Sequence, residues 1–174
     1  VPGVEIATGS LGHGLSISIG MALAARLDGK KHRVFVLMGD GETQEGSVWE
    51  GAMAAANYRL GNLVALIDRN RLSLDGETEK LMKLEPYAEK WNAFGWNVEV
   101  IDGHNIEDIV NAFDSLPPVD SDKPTVIIAE TVKGKGVACM ENEVNWHAGS
   151  IDADFLAQSC AALEEARKKE RGEQ

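Results

Sequence analysis

Apolar residues along this chain gather in short solid runs. Arg33–Met38 reads RVFVLM, Leu63–Ile67 reads LVALI and Thr125–Ala129 reads TVIIA. Runs of that length, apolar throughout, suit strands buried on both faces. Asn97–Ile101 reads as a further strand between the last two. The intervening segments have helical character. Ser10–Asp28 carries small and apolar residues without Pro and ends at Gly29 and two lysines, an ordinary helix stop. Glu45–Leu60 is rich in Ala and closed by Gly61, Tyr87–Phe94 reads as a short helix, and Ile106–Phe113 stops before Pro117-Pro118.

Such alternation predicts an α/β fold, an open and mostly parallel sheet with helices on both faces and right-handed crossovers. One domain is expected over residues 1–174, a length that supports a substantial core. Thr131–Gly149 reads as a long loop, and loops of that length in compact domains are usually functional or disordered. Asp152–Gln174 reads as a helix that passes into a charged surface tail.

The chemistry concentrates between Gly39 and Asn70. Gly39-Asp40-Gly41 ends the first strand, and Asp68-Arg69-Asn70 leaves the second. Ligands of open parallel sheets sit beyond the carboxyl ends of the strands. One crossover separates Asp40 from Asn70, so both can reach one crevice. A carboxylate, an amide carbonyl and a backbone carbonyl form an oxygen-only set suited to Mg²⁺ or Ca²⁺, with phosphate oxygens completing the shell. Gly39 and Gly41 let the backbone approach a phosphate and offer unhindered N–H donors. The competing reading is a plain βα turn, with Asn70 in an ordinary loop. A bare Gly-Asp-Gly does not decide between them; the Ala-rich helix, the Gly-Asn-Leu strand entry and the Asp-x-Asn exit favour the site.

Charge changes the picture only by exclusion. Seventeen basic residues stand against 28 acidic ones, a formal net charge of −11, which argues against a nucleic-acid footprint. Local donors can still hold a phosphate in an acidic protein. No run of about eighteen apolar residues suggests a membrane span. Cys139 and Cys160 read as reduced thiols of an intracellular, cytoplasmic protein. The opening VPGVEIATGS has neither an initiator Met nor signal-peptide features, so a chain truncated at its N-terminus is expected.

Gly-Asp-Gly followed about thirty residues later by Asn resembles the thiamine-diphosphate motif, here in the version of transketolase. Ala7-Thr8-Gly9-Ser10-Leu11-Gly12, Asp68-Arg69-Asn70-Arg71-Leu72, Thr131-Val132-Lys133-Gly134-Lys135-Gly136 and Trp146-His147-Ala148 extend the likeness over nearly the whole chain. It is most similar to the N-terminal subunit of split bacterial transketolases.

The resemblance implies a thiamine-diphosphate-binding domain whose Asp40, Asn70 and Leu72 carbonyl bind Mg²⁺ or Ca²⁺. It implies that the Gly41 amide meets the diphosphate with help from Asn70, and that Gly9 and Leu11 lie against the cofactor rings. Lys133 and His147 would reach the diphosphate or the substrate side. Glu45 and Glu50 would join a carboxylate network at the subunit interface, and with His147 form the implied catalytic set. Read without the resemblance, Lys133 is a solvated lysine, His147 a loop histidine, and Glu45 and Glu50 helix-start and surface charges. His13, His32 and His104 read as structural or exposed.

The implied activity is transfer of a two-carbon ketol unit between sugar phosphates in the pentose phosphate pathway, with the cofactor carrying the difficult chemistry. The family's activating glutamate belongs to a pyrimidine-binding domain, so a C-terminal transketolase subunit is the implied partner, with self-association besides. Family members also carry roughly a hundred residues before the VPGVE stretch. Alternatives are a section of deoxyxylulose-phosphate synthase, a sulfosugar transketolase, a 2-oxoacid dehydrogenase component, or a non-catalytic remnant.

Overall fold

The computed structural model describes residues 2–171. Four strands, β1 (Val34–Gly39), β2 (Leu63–Arg69), β3 (Asn97–Asp102) and β4 (Thr125–Glu130), form a sheet of order β1-β2-β4-β3. Every pairing is parallel, as the solid apolar runs predict. The register sets Gly39 beside Asp68 and Asp68 beside Ala129. The strand ends thus form one edge, where Asp40, Asn70, Thr131 and His104 follow.

Three helices cover one sheet face: α1 (Gly14–Leu27), α2 (Gly46–Asn57) and α4 (Tyr87–Ala93). Leu15, Ile19 and Ala22 of α1 and Val48, Ala52 and Ala55 of α2 meet Val36, Met38, Ala65, Ile67, Val126 and Ile128. Trp91 and Trp96 close this core edge to face, with ring centroids 5.0 Å apart. The Trp96 indole N–H donates to the Ala52 carbonyl at 2.9 Å, so its one polar atom is buried with a partner. α5 (Ile106–Asp114) packs on the opposite face through Ala112, against Val64 and Ile127. Its Asn105 cap accepts the amides of Glu107 and Asp108. The far end of this second face is barer, and Leu37 of β1 is 74% exposed.

The boundaries differ from expectation in instructive ways. The first helix begins at Gly14, four residues after Ser10. Gly12 adopts φ +78 and its amide goes to Glu42 Oε1, so residues 10–13 form a turn directed at the site. The expected helix from Glu45 is preceded by a 3-10 turn, Gly41–Gln44, capped by the Asp40 side chain. The stretch between Asn70 and Tyr87 is ordered by a Leu72–Glu77 bridge and a short helix, α3 (Thr78–Leu81).

The expected charged tail continues as helix in α6 (Ala153–Arg171), aided by an exposed Glu165–Lys169 pair one turn apart. Residues 172–174, the end of that expected tail, lie outside the described residues. The loop 131–149 folds upon itself: Asn142 N–H donates to the Lys133 carbonyl at 3.0 Å, and Trp146 stacks on Phe155 at 4.7 Å. Among the described residues no helix is long and apolar enough to cross a membrane.

Candidate cofactor and metal site

Asp40 follows the last residue of β1 and is 1% exposed. Its Oδ2 accepts from Arg69 Nη1 at 2.8 Å and from the Arg71 amide at 2.7 Å. Its Oδ1 accepts from the Gly41 amide at 2.7 Å. Asn70 leaves β2 alongside and is 8% exposed. Its Oδ1 accepts the Leu72 amide at 3.0 Å, and its Nδ2 donates to Asp68 Oδ2 at 3.2 Å. Both side chains are therefore held by the same backbone turn, residues 70–72.

That turn is strained. Arg71 adopts φ 65, a left-handed conformation that costs a non-glycine residue about 1 kcal/mol or more. The strain points the Arg71 amide at Asp40, while the Arg71 guanidinium pairs with Glu130 at 2.9 Å.

Counting lone pairs shows what these groups can still accept. A carboxylate offers about four acceptor positions. Two on Asp40 Oδ2 and one on Oδ1 are taken, which leaves one, on Oδ1. Asn70 Oδ1 has accepted one bond and keeps a second lone pair. Leu72 and Glu77 form a non-hydrogen-bonded pair, so the Leu72 carbonyl faces away from its hairpin. That carbonyl comes to 4.0 Å from where a Cβ on Gly41 would stand. A Cβ there would also press on Ser73 Cβ at 3.2 Å, so glycine keeps this concavity open. One carboxylate, one amide oxygen and one carbonyl, each with acceptor capacity to spare, fit a hard divalent cation. Among the described residues no three His, Cys, Asp or Glu gather as a metal cluster.

Beneath Asp40 lies Arg69, whose side chain is 0% exposed. Nη1 also donates to Thr78 Oγ1 at 2.9 Å, and Nη2 donates to Glu79 Oε1 at 3.0 Å and Glu85 Oε1 at 2.9 Å. The guanidinium sits over the Tyr87 ring, 5.2 Å from its centroid. Tyr87 OH meets Thr43 Oγ1 at 2.7 Å, and that hydroxyl donates to the Asp40 carbonyl.

Burial pushes the Asp40 carboxyl above its ordinary range, against the pull of Arg69 and the Arg71 and Gly41 amides. For Arg69, burial acts to lower the value but bonds to Glu85, Asp40 and Glu79 outweigh it, so the guanidinium stays charged. Burial drives the Tyr87 hydroxyl upward and keeps it neutral.

A second set of contacts brings the glycine-rich entry to the site. Glu42 takes the Gly12 amide on Oε1 at 3.0 Å and the Gly39 amide on Oε2 at 3.3 Å. Ser47 Oγ donates to the Gly12 carbonyl at 3.0 Å. Gly9 and Leu11 stand exposed in this segment, Leu11 at 56%, with nothing crowding Gly9. Glu45 lies against Gly12, and Glu50 is exposed on α2.

On the other flank, Thr131 Oγ1 donates to Asp68 Oδ1, and the Val132 amide donates to His104 Nε2 at 2.8 Å. These bonds anchor the start of the loop that carries Lys133 and His147. Lys133 is half-buried and His147 exposed in a 3-10 turn, Val144–His147. Among the described residues, no side-chain hydrogen bond joins Lys133 or His147 to Asp40 or Asn70.

Residues 1–167 match the family model described as transketolase, thiamine diphosphate binding domain. The chain belongs to the transketolase family. It is 47% identical over 169 residues to one subunit of an apulose-4-phosphate transketolase from Phocaeicola vulgatus, covering 97% of this chain and 60% of that protein. It is 40% identical over 162 residues to one subunit of a 6-deoxy-6-sulfo-D-fructose transketolase from a Clostridium species, covering 93% of this chain and 58% of that one. A transketolase crystal structure from Campylobacter jejuni superposes with a TM-score of 0.83 at 30% identity, covering 98% of this chain and 26% of the other. The chain thus spans about three fifths of the length of each of these two relatives.

Several residues that hold these loops together carry no signal in the sequence. Arg69 was legible only as the variable position in Asp-x-Asn, although an arginine closing an apolar strand must find buried partners. Glu42, Ser47 and Thr131 act through contacts between distant loops, for which local sequence holds no signal, whereas His104, expected to be structural or exposed, is exposed and accepts the Val132 amide. The Gly41 amide, expected on a diphosphate, is engaged by Asp40 Oδ1 here.

Proposed function

We propose that this chain binds thiamine diphosphate through a divalent cation, Mg²⁺ or Ca²⁺, held by Asp40, Asn70 and the Leu72 carbonyl. It serves as the diphosphate-binding half of a cytoplasmic transketolase that moves two-carbon ketol units between sugar phosphates. The observation that supports this reading is the spare lone pair on Asp40 Oδ1 and on Asn70 Oδ1, two side chains held by one turn at the carboxyl edge of the sheet.

Bound there, the cofactor supplies carbanion-stabilising chemistry that side chains lack. The chain's own residues bind and orient. Gly41 leaves room for a phosphate, Gly9 and Leu11 offer an open ledge for the rings, and Lys133 and His147 serve the diphosphate or the substrate. Glu45 and Glu50 serve the subunit interface. Residues 1–174 act as one diphosphate-binding unit. The relatives are named as single subunits of their transketolases, which favours a partner chain that supplies the pyrimidine-binding domain. Self-association completes the assembly.

The sugar is open to a second reading. A sulfosugar donor is suggested by the likeness to the Clostridium protein, against the higher identity to the apulose-4-phosphate subunit, and assay with sugar phosphates against sulfosugars separates the two.

Isothermal titration with thiamine diphosphate and Mg²⁺, with and without the partner chain, tests the binding. The expected outcome is metal-dependent affinity that vanishes in Asp40→Ala. Unchanged affinity in that variant rejects the assignment, and a folded wild-type chain that binds its partner but no cofactor makes the protein a non-catalytic remnant.

A further inference from the structure

Asp40 could in principle offer a cation either carboxylate oxygen, or both. The observed contacts decide otherwise. Oδ2 is filled by Arg69 Nη1 and the Arg71 amide, and only Oδ1 keeps an acceptor position. Arg69 is itself immobilised by Thr78, Glu79 and Glu85 and lies over the Tyr87 ring. A buried guanidinium gripping a metal ligand carries a penalty, since its positive charge repels the incoming dication. Three carboxylates surround this guanidinium, and Arg71, which also reaches Glu85, is matched by Glu130, so the cluster as a whole stays negative.

We propose that Arg69 is a positioning residue for cation binding: it holds Asp40 in a single-oxygen binding mode through Oδ1, while Glu79 and Glu85 cancel its charge beside the dication. The proposal rests on the cofactor reading above and adds two things to it. Arg69 fixes which oxygen of Asp40 stays open, and residues 79 and 85, remote from the ligand set in sequence, tune the affinity of the cation through it. Neighbours of a metal ligand typically change affinity by roughly 10–100-fold when altered.

The experiment is a Mn²⁺ titration of the 174-residue chain with thiamine diphosphate present, following free Mn²⁺ by electron paramagnetic resonance. Circular dichroism and thermal melts report the fold of each variant. Arg69→Met, which keeps the bulk but removes donors and charge, is expected to weaken Mn²⁺ by roughly 10–100-fold. Arg69→Lys is expected to recover part of the loss, because an ammonium keeps the charge without the planar fork.

Glu85→Gln keeps the shape and is expected to weaken Mn²⁺ several-fold. That loss should shrink in the Arg69→Met background, or in Arg69→Gln if the methionine variant does not fold, because neither keeps the guanidinium that Glu85 grips, a coupling that general destabilisation does not produce. Wild-type affinity in folded Arg69→Met, or an equal Glu85→Gln loss in both backgrounds, overturns the proposal while leaving the cofactor reading intact. Absence of Mn²⁺ binding by the folded wild type, with the partner chain present as well as without it, overturns both.

Discussion

The carboxylate of Glu42 receives the amide of Gly12 at 3.0 Å, across thirty positions of sequence. Because the other Glu42 oxygen holds the Gly39 amide, one side chain ties the glycine-rich entry to the end of β1. The ledge of Gly9 and Leu11 and the turn of Asp40 are thereby set relative to each other before any ligand arrives.

Removing that clamp leaves two amides without their acceptor. Glu42→Ala is expected to cost about 1–3 kcal/mol, measured by urea unfolding. Hydrogen exchange should quicken at Gly12 and Gly39, whereas core amides of β2 should slow or quicken only with global stability. Protection at Gly12 equal to wild type would rule out the clamp.

Gly12 offers an independent check. Its φ of +78 and the 2.5 Å approach of a hypothetical Cβ to Ser47 Oγ leave no room for a side chain. Gly12→Ala is expected to destabilise by at least about 1–2 kcal/mol from the backbone conformation alone, read as a lowered Tm. Gly9→Ala, where nothing lies within 4 Å, should have little effect on Tm.

Acid stability follows from the Arg69 cluster. The amide of Tyr87 and then Arg69 hold the Glu85 carboxyl below the usual range, and although burial acts to raise Glu79, the Leu84 amide and Arg69 bring it lower too. A carboxyl depressed on folding adds stability that is present above its unfolded value, about 4.3, and lost as pH falls through the folded value. Asp40, raised by burial, works in the opposite sense. The expected result is a chain that loses unfolding free energy below about pH 4, with a shallower loss in Glu85→Gln; equal slopes for the two proteins would contradict it.

The tryptophan core is the remaining test. Trp96 is 1% exposed, closes on Trp91 and donates to Ala52. Trp96→Ala is expected to cost about 3–5 kcal/mol, by chemical denaturation. Trp96→Phe should cost less, losing the indole bond but keeping most of the packing.

Which parts of this were legible follows from the range of the forces involved. Solid runs such as Val34–Met38 and Leu63–Ile67 announce strands because burial on both faces demands apolar residues at every position. The helix start at Gly14 escapes the local pattern because the Gly12 amide in the preceding turn is satisfied by Glu42, a residue from another loop. The segment 71–86 gave no periodic signal, and its order comes from Arg69 drawing Thr78, Glu79 and Glu85 inward.

The sequence by itself determined the parallel sheet, its helical crossovers and the pair Asp40 and Asn70 at the ends of two strands. Periodicity and strand-end position are local properties, and they survive without coordinates. Only the tertiary structure decided which oxygen of Asp40 stays open, that Arg69 rather than solvent meets the other, and that Glu42, Thr131 and His104 brace the loops around them. Those outcomes depend on donors and acceptors far apart in the chain, which compete for the same lone pairs only once the sheet has brought them together.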